Sequence, residues 1–190
     1  MRIISGNLKG KKILQPKDRL TRPLKDLTKE SIFNIIKHSN LINIDLESSN
    51  ILDLFSGVGS FGLEGLSRGA LMVTFVESYK EVLPVLKKNI DNLKLGNYSK
   101  IIEKNVFEFN TLKLLNNKFE IIFIDPPYKE KEIPSILNKI FESHILTEYG
   151  IIIIHRHKTE KDVFPLNFKI VEEKIYGISR VIFGKLTLDK

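Results

Sequence analysis

Asp125-Pro126-Pro127-Tyr128 is the stretch of this chain whose residue types are best suited to chemistry. It follows Phe119–Ile124, apolar except for Glu120, which reads as a buried strand ending at the tetrapeptide. Two prolines cannot donate to a sheet, so they stop the strand and fix a rigid extended turn. A carboxylate, a carbonyl and an aromatic ring are thereby gathered at the strand's C-terminal edge. That set can grip a planar base bearing an exocyclic amine. Asp125 and the Pro126 carbonyl would accept the two N–H bonds, and Tyr128 would stack on the ring. Taken alone, an ordinary Pro-Pro loop with a surface aspartate explains these residues equally well.

A second constellation tips the balance. Gly57-Val58-Gly59-Ser60-Phe61-Gly62 matches the glycine-rich pattern that joins a strand to a helix and lets a ligand approach the backbone. Such a match alone is weak, because dinucleotide and S-adenosylmethionine sites share it. Asp53 precedes the glycines at the strand end. A carboxylate there repels a pyrophosphate but serves a ligand with an amino group. Glu77 closes the next strand at a spacing suited to ribose hydroxyls.

The elements that must hold these groups alternate. Strands are expected at Ile51–Phe55, Met72–Glu77, Ile101–Glu103, Glu120–Ile124 and Gly150–Ile154. Between them lie a helix ending near Gly69, and one after Ser78 and Glu81, whose spacing is that of a capping box, with Gly96 placed to end it. A short helix around Val106–Leu115 and another over Pro134–His144 follow. Phe168–Tyr176 and Ser179–Leu188 are separated only by Gly177-Ile178, too short a connection for a parallel crossover, so the last strand must run antiparallel to its neighbour. The pattern predicts a doubly wound α/β sheet with ligands at the C-terminal strand ends. Asp53, Glu77, Asn105 and Asp125 all fall at such ends.

Ahead of this body, Arg2–Ser5 and Lys11–Leu14 read as a small hairpin. Gln15–Pro23 is a basic loop, and Asp26 is placed to cap a helix running to about His38. Residues 1–40 carry ten Lys or Arg against three acids, an excess equal to the whole formal net charge of +7. A basic arm of residues 1–40 on a neutral body, 41–190, points to a polyanion partner. The absence of cysteine excludes disulfides and thiolate metal sites. Met1–Lys12 lacks a following apolar stretch and no run is long enough to span a bilayer, so a cytoplasmic chain is expected. A monomer is the simple expectation, and no metal is suggested. His155, Arg156 and His157 read as a polar strand terminus.

Asp53-Leu-Phe-Ser-Gly57-Val-Gly59 resembles motif I of class I S-adenosylmethionine-dependent methyltransferases, and Asp125-Pro-Pro-Tyr128 resembles their amine-methylating motif. Met1-Arg-Ile-Ile-Ser-Gly6, Lys9-Gly10, Arg22-Pro23, Glu30, Ile32-Phe33-Asn34 and Leu63-Glu-Gly-Leu-Ser-Arg-Gly69 extend the likeness across the chain. Together they resemble the small bacterial 16S ribosomal RNA guanine-N2 methyltransferases. The resemblance implies a Rossmann-like, seven-stranded, mostly parallel sheet with an antiparallel last strand and a small N-terminal hairpin. It implies transfer of a methyl group from S-adenosylmethionine to the N2 amine of one guanine in 16S rRNA, within the small subunit or an assembly intermediate.

Under the same resemblance, Asp53, Phe55, Gly57, Gly59, Glu77, Asn105 and Val106 would meet the cofactor. Asp125, Pro126, Pro127 and Tyr128 would meet the base, and Arg2, Lys9, Lys11, Lys12 and Arg22 the RNA. Leu24 and Leu27 stand where the family commonly has Thr and Arg, and Ser56 and Val58 where motif I commonly has Ala and Ser. An adenine-N6 methyltransferase acting on DNA or RNA is the nearest alternative, since the tetrapeptide does not distinguish the two bases. A protein glutamine methyltransferase fits the basic arm less well. A dehydrogenase leaves the prolines and Asp53 unexplained. A catalytically silent RNA-binding protein would require a decayed cofactor site, whereas Asp53, both glycines, Glu77 and Asp125 are present.

Overall fold

The computed structural model describes residues 1–16, 24–108, 111–127 and 132–187. Tyr128, Arg22, most of the basic loop and the end of the expected last strand lie outside them.

Seven strands form one sheet: β1 Asn50–Leu54, β2 Met72–Val76, β3 Ser99–Ile102, β4 Phe119–Ile124, β5 Leu146–His157, β6 Phe168–Tyr176 and β7 Ser179–Leu186. Their order is β3-β2-β1-β4-β5-β7-β6. The first five pair in parallel. The last strand in sequence inserts between β5 and β6, antiparallel to both. The chain order reverses beside β1, between β2 and β4. That crevice at the C-terminal ends is where an open α/β sheet receives a ligand.

Strand alternation sorts the apolar side chains onto two faces. Ile51, Val73, Phe75, Ile121, Phe123, Ile151 and Ile153 share a cluster with helices α1 (Asp26–His38), α2 (Ser60–Ser67) and α3 (Leu83–Asn92). Leu52, Leu54, Val76, Ile122, Ile124, Ile152 and Ile154 pack on the other face with α4 (Ile133–Glu142). Both faces are covered, which is why β4 and β5 read as near-continuous apolar runs rather than alternating ones. Three aromatic rings lie in series, Phe33 of α1 against Phe61 of α2 (4.9 Å) and Phe61 against Phe123 of β4 (3.9 Å). This column ends two residues before Asp125.

The N-terminal segment joins the same core through buried Ile3 and Ile13. Its two extended pieces pair antiparallel at Arg2 and Lys12, with the N–H groups of Ile3, Ile13 and Gly10 donating across to the carbonyls of Lys11, Met1 and Ile3, so the expected hairpin forms as a short one. Its anchor is Glu64 of α2, which accepts the Ile4 and Ser5 N–H groups at 2.8 and 3.0 Å. The same fully buried carboxylate lies 3.5 Å from the fully buried Lys29 ammonium and 2.8 Å from Arg68 Nε. Lys29 also donates to the Arg2 carbonyl and to Ser60 Oγ. Burial lowers its pKa from the ordinary lysine value, and Glu64 opposes that shift. Lys29 is therefore part of the arm's internal anchor and is not available to a polyanion. Breaking such a pair from one side costs about 3–5 kcal/mol, because it leaves the other charge buried alone.

Several local expectations are corrected. Asp26 opens the first turn of α1, while Lys25 occupies the cap position without a side-chain bond. The Ser78/Glu81 capping box does not form: α3 starts at Leu83, with Pro84 in its first turn. It ends at Asn92, with Leu93 as its cap and the left-handed Lys94 (φ 57°) turning the chain away, and Gly96 begins a 3-10 turn instead. The helix expected over Val106–Leu115 is reduced to a 3-10 turn at Leu112–Leu114. β5 runs well beyond Gly150–Ile154 at both ends, because β7 supplies ladder partners for His155, Arg156 and His157.

Candidate active site

Three acids stand at the C-terminal ends of neighbouring strands, and the fold treats each differently. Asp53 sits on β1, in register with Phe75 of β2 and Phe123 of β4, on the face covered by α2. It is 1% exposed. Its Oδ2 accepts the Gly62 N–H at 3.0 Å. Burial pushes its pKa well above the ordinary carboxylate value, the Gly62 bond opposes that rise, and the nearby charges of Asp125 and Glu77 add to it. Such a carboxylate is poised for a cationic partner, which would relieve the desolvation and the repulsion together.

Glu77, just past β2, is satisfied by backbone. Its Oε2 accepts the Gly57 N–H at 2.7 Å, and its Oε1 accepts the Ser78 and Tyr79 N–H groups, each at 2.8 Å. The carboxylate thus ties the glycine turn to the end of the adjacent strand. A carboxylate offers about four lone-pair sites, so capacity remains for a hydroxyl donor.

The turn itself carries two glycines with positive φ and different duties. At Gly57 (φ 54°) an added Cβ would meet nothing within 4 Å, so open space lies before this backbone. At Gly59 (φ 84°) a Cβ would come within 2.6 Å of Leu86 and 3.2 Å of Leu63. Gly57 therefore leaves room for a ligand beside its backbone, while Gly59 permits α2 and α3 to close on the turn. Phe55, a bulky residue, also takes positive φ (61°), a conformation that costs about 1–2 kcal/mol for a residue with a side chain. Its ring meets Phe107 at 5.8 Å.

Asn105 is exposed, and its side chain accepts the Phe107 N–H at 2.9 Å. Val106 is 3% exposed and belongs to the core beneath. Phe107, unassigned from the sequence, is the apolar surface presented here. Its backbone carbonyl accepts from Lys139 of α4.

Asp125 follows β4 directly, and its N–H reaches the Leu54 carbonyl at 3.5 Å, extending the β1–β4 pairing. Ile124 pairs with Ile154, so the next residues, Asp125 and His155, are neighbours on one face. The His155 Nδ1 lies 2.8 Å from Asp125 Oδ1, with side-chain exposures of 8% and 23%. Pro126 is buried and Pro127 exposed. His155 is thus no polar terminus but a strand residue in contact with the expected base-binding carboxylate. The sequence signal is an imidazole at a strand end beside the tetrapeptide's strand, and only the β4–β5 register shows which way it points.

Asn89 of α3 is the other residue the sequence did not single out. Nearly fully buried, it accepts the Leu14 N–H at 2.8 Å and donates to the carbonyls of Leu14 and Val58 at 3.2 and 3.0 Å. The end of the N-terminal arm is thereby fastened to the glycine turn, and the basic loop departs from that point. Arg2, Lys9, Lys11 and Lys12 are exposed on the arm, and Arg2 lies 3.9 Å from Asp26. Among the described residues no cluster of three or more His, Asp or Glu side chains could hold a metal ion.

A family model described as "Conserved hypothetical protein 95" matches residues 1–185. The chain belongs to this family. It is 33% identical to ribosomal RNA small subunit methyltransferase D of Buchnera aphidicola, covering 91% of this chain and 86% of that one. It is 32% identical to the Haemophilus influenzae protein of the same name, covering 94% and 90%. A solved Haemophilus influenzae chain named as a methylase superposes with a TM-score of 0.77 at 31% identity, covering 98% of this chain and 99% of that one. The sheet order and these likenesses make the fold that of a Rossmann-like class I methyltransferase.

Proposed function

We propose that this chain is an S-adenosylmethionine-dependent methyltransferase acting on the exocyclic N2 amine of a guanine in 16S rRNA. The observation that carries the reading is Asp125, held by a buried histidine at the edge of the crevice that Asp53, Gly57 and Glu77 define. The named relatives, small-subunit rRNA methyltransferases, support the substrate class.

S-adenosylmethionine supplies a methyl group on a sulfonium and also carries an ammonium, a cationic pair that suits a crevice crowded with carboxylates. Asp53 would stabilise the positive end, with the open space before Gly57 receiving the amino-acid portion. Glu77 would accept ribose hydroxyls, and Phe55, Asn105, Val106 and Phe107 would border the adenine. On the substrate side, Asp125 and the Pro126 carbonyl accept from the amine. An exocyclic amine is a poor nucleophile because its lone pair is delocalised into the ring. Hydrogen bonds to both N–H groups favour the pyramidal form and orient it. As the methyl passes from sulfonium to nitrogen the amine proton becomes acidic and leaves late, to Asp125 or water, so Asp125 need not be a strong base.

The guanine must be unpaired or extruded to expose its amine, and Tyr128 would replace the lost stacking. Residues 1–40 would act as the RNA-binding extension, through Arg2, Lys9, Lys11, Lys12 and Arg22. The substrate would be the small subunit or an assembly intermediate.

The test offers labelled S-adenosylmethionine with unmodified small subunits, free 16S rRNA and DNA, and identifies the modified nucleoside by mass spectrometry. N2-methylguanosine in the rRNA is the expected product. N6-methyladenine would keep the chemistry and overturn the substrate, and absence of transfer would overturn the function.

A further inference from the structure

His155 is buried, yet among the described residues its side chain makes one polar contact. Its Nδ1 meets Asp125 Oδ1 at 2.8 Å, and its Nε2 is buried with no hydrogen-bond partner among the described residues. A carboxylate oxygen only accepts, so the ring hydrogen in this contact lies on Nδ1. A buried ring nitrogen left unpaired is unfavourable, and an aliphatic side chain would avoid that cost among neighbours such as Val181, its partner on β7. A histidine that served only to fill the sheet would be a poor choice. A histidine that fixes one carboxylate oxygen accounts for the side chain.

The consequence falls on the other oxygen. Asp125 stands directly after β4, its N–H reaching the Leu54 carbonyl at 3.5 Å, before two prolines that donate nothing to the sheet. Its carboxylate is partly exposed, and no described residue donates to Oδ2. Without His155 the side chain is free to rotate about its terminal torsion, which is broad for a carboxylate.

We propose that His155 is a positioning residue: its Nδ1–H locks Asp125 Oδ1 and so aims Oδ2 at the substrate amine. The histidine touches neither base nor cofactor and acts only through Asp125. This rests on the proposed amine methylation. The hydrogen bond is to a charged acceptor, which makes it one of the stronger kinds and makes its loss costly.

The experiment measures steady-state methylation of unmodified small subunits by the wild-type chain and by His155→Ala, His155→Asn and His155→Gln. Each variant's melting temperature and cofactor affinity are measured alongside. Asn places an amide nitrogen near the Nδ1 position, whereas Gln places it nearer Nε2. His155→Ala and His155→Gln should lose roughly 10- to 100-fold in kcat, the range of a charged hydrogen bond. KM for the subunits and cofactor affinity should stay within a few-fold, and His155→Asn should recover most of the rate.

Equal rates for wild type and His155→Ala would overturn the role. So would a loss confined to KM, or equal rates for the Asn and Gln variants. Should the Ala variant fail to fold, the Asn and Gln pair decides alone. No transfer by the wild-type chain would sink the proposed function and this role with it, whereas an active wild type matched by His155→Ala would sink this role only.

Discussion

Asp53 and Asp125 stand at the ends of adjacent strands and share one face of the sheet, yet the fold gives them opposite surroundings. Asp53 is almost wholly enclosed, with one backbone donor and two acids nearby. Asp125 is partly open and has an imidazole on one oxygen. The enclosed acid is frustrated until a cation arrives, which suits ligand capture. The open acid has no described donor on its other oxygen, which suits holding a neutral amine. Residue type is the same in both; burial and a single donor separate the tasks.

The sharpest break of this comparison is Asp125→Ala. It should lower kcat by roughly 10²- to 10³-fold, the scale for losing one oriented polar group at a reacting centre, while calorimetry shows cofactor affinity nearly unchanged. A comparable loss of cofactor affinity would erase the distinction. Asp53→Asn should do the reverse, weakening the cofactor by about 10- to 100-fold through loss of a charge-assisted contact. The same change removes a buried charge and leaves an oxygen for Gly62, so the ligand-free chain should melt a few degrees higher, about 1 kcal/mol at this size. A fall in melting temperature would mean that Asp53 is not strained.

The two glycines sharpen the ligand-facing side. Gly59→Ala should destabilise the chain by about 1–3 kcal/mol, since its Cβ would strike Leu86. Gly57→Ala carries only the cost of its positive φ, about 1 kcal/mol, and should be read mainly as weaker cofactor binding.

The smallest effect is in pH. The folded-state pKa of Asp53 is raised, so its proton stabilises the fold below the ordinary carboxylate value, and that benefit is lost as pH rises through the raised value. The melting-temperature advantage of Asp53→Asn should therefore be near zero at the acid end and grow toward neutrality. An advantage that shrinks with rising pH would contradict the assigned direction.

Much of the frame was legible because it is local. The strands over 51–55, 72–77 and 120–124 follow from short, mostly apolar runs, and helix α1 from its spacing of Ile32, Phe33 and Ile36. The local misreadings share a cause. Ser78 and Gly96 looked like helix boundaries, but Glu77 takes the Ser78 and Tyr79 N–H groups and α3 ends at Asn92. Lys29 counted as part of a basic arm, and packing against Glu64 turned it inward. Val106, which the family resemblance places at the adenine, is buried in the core, and Phe107 beside it is the ring that Phe55 meets.

By itself the sequence determined the alternation of strands and helices, the glycine turn with its acid, and the proline-stopped strand that ends in Asp125. These are short-range consequences of side-chain period, missing Cβ atoms and missing N–H groups. Only the tertiary structure decided that β7 enters between β5 and β6, and through the β4–β5 register that His155 is buried against Asp125. It likewise decided that Glu64 and Asn89 fasten the arm to α2 and to the glycine turn. Those side-chain contacts join residues 30 to 75 positions apart. The side chain that completes each pair is chosen by packing and strand register, which no local pattern encodes.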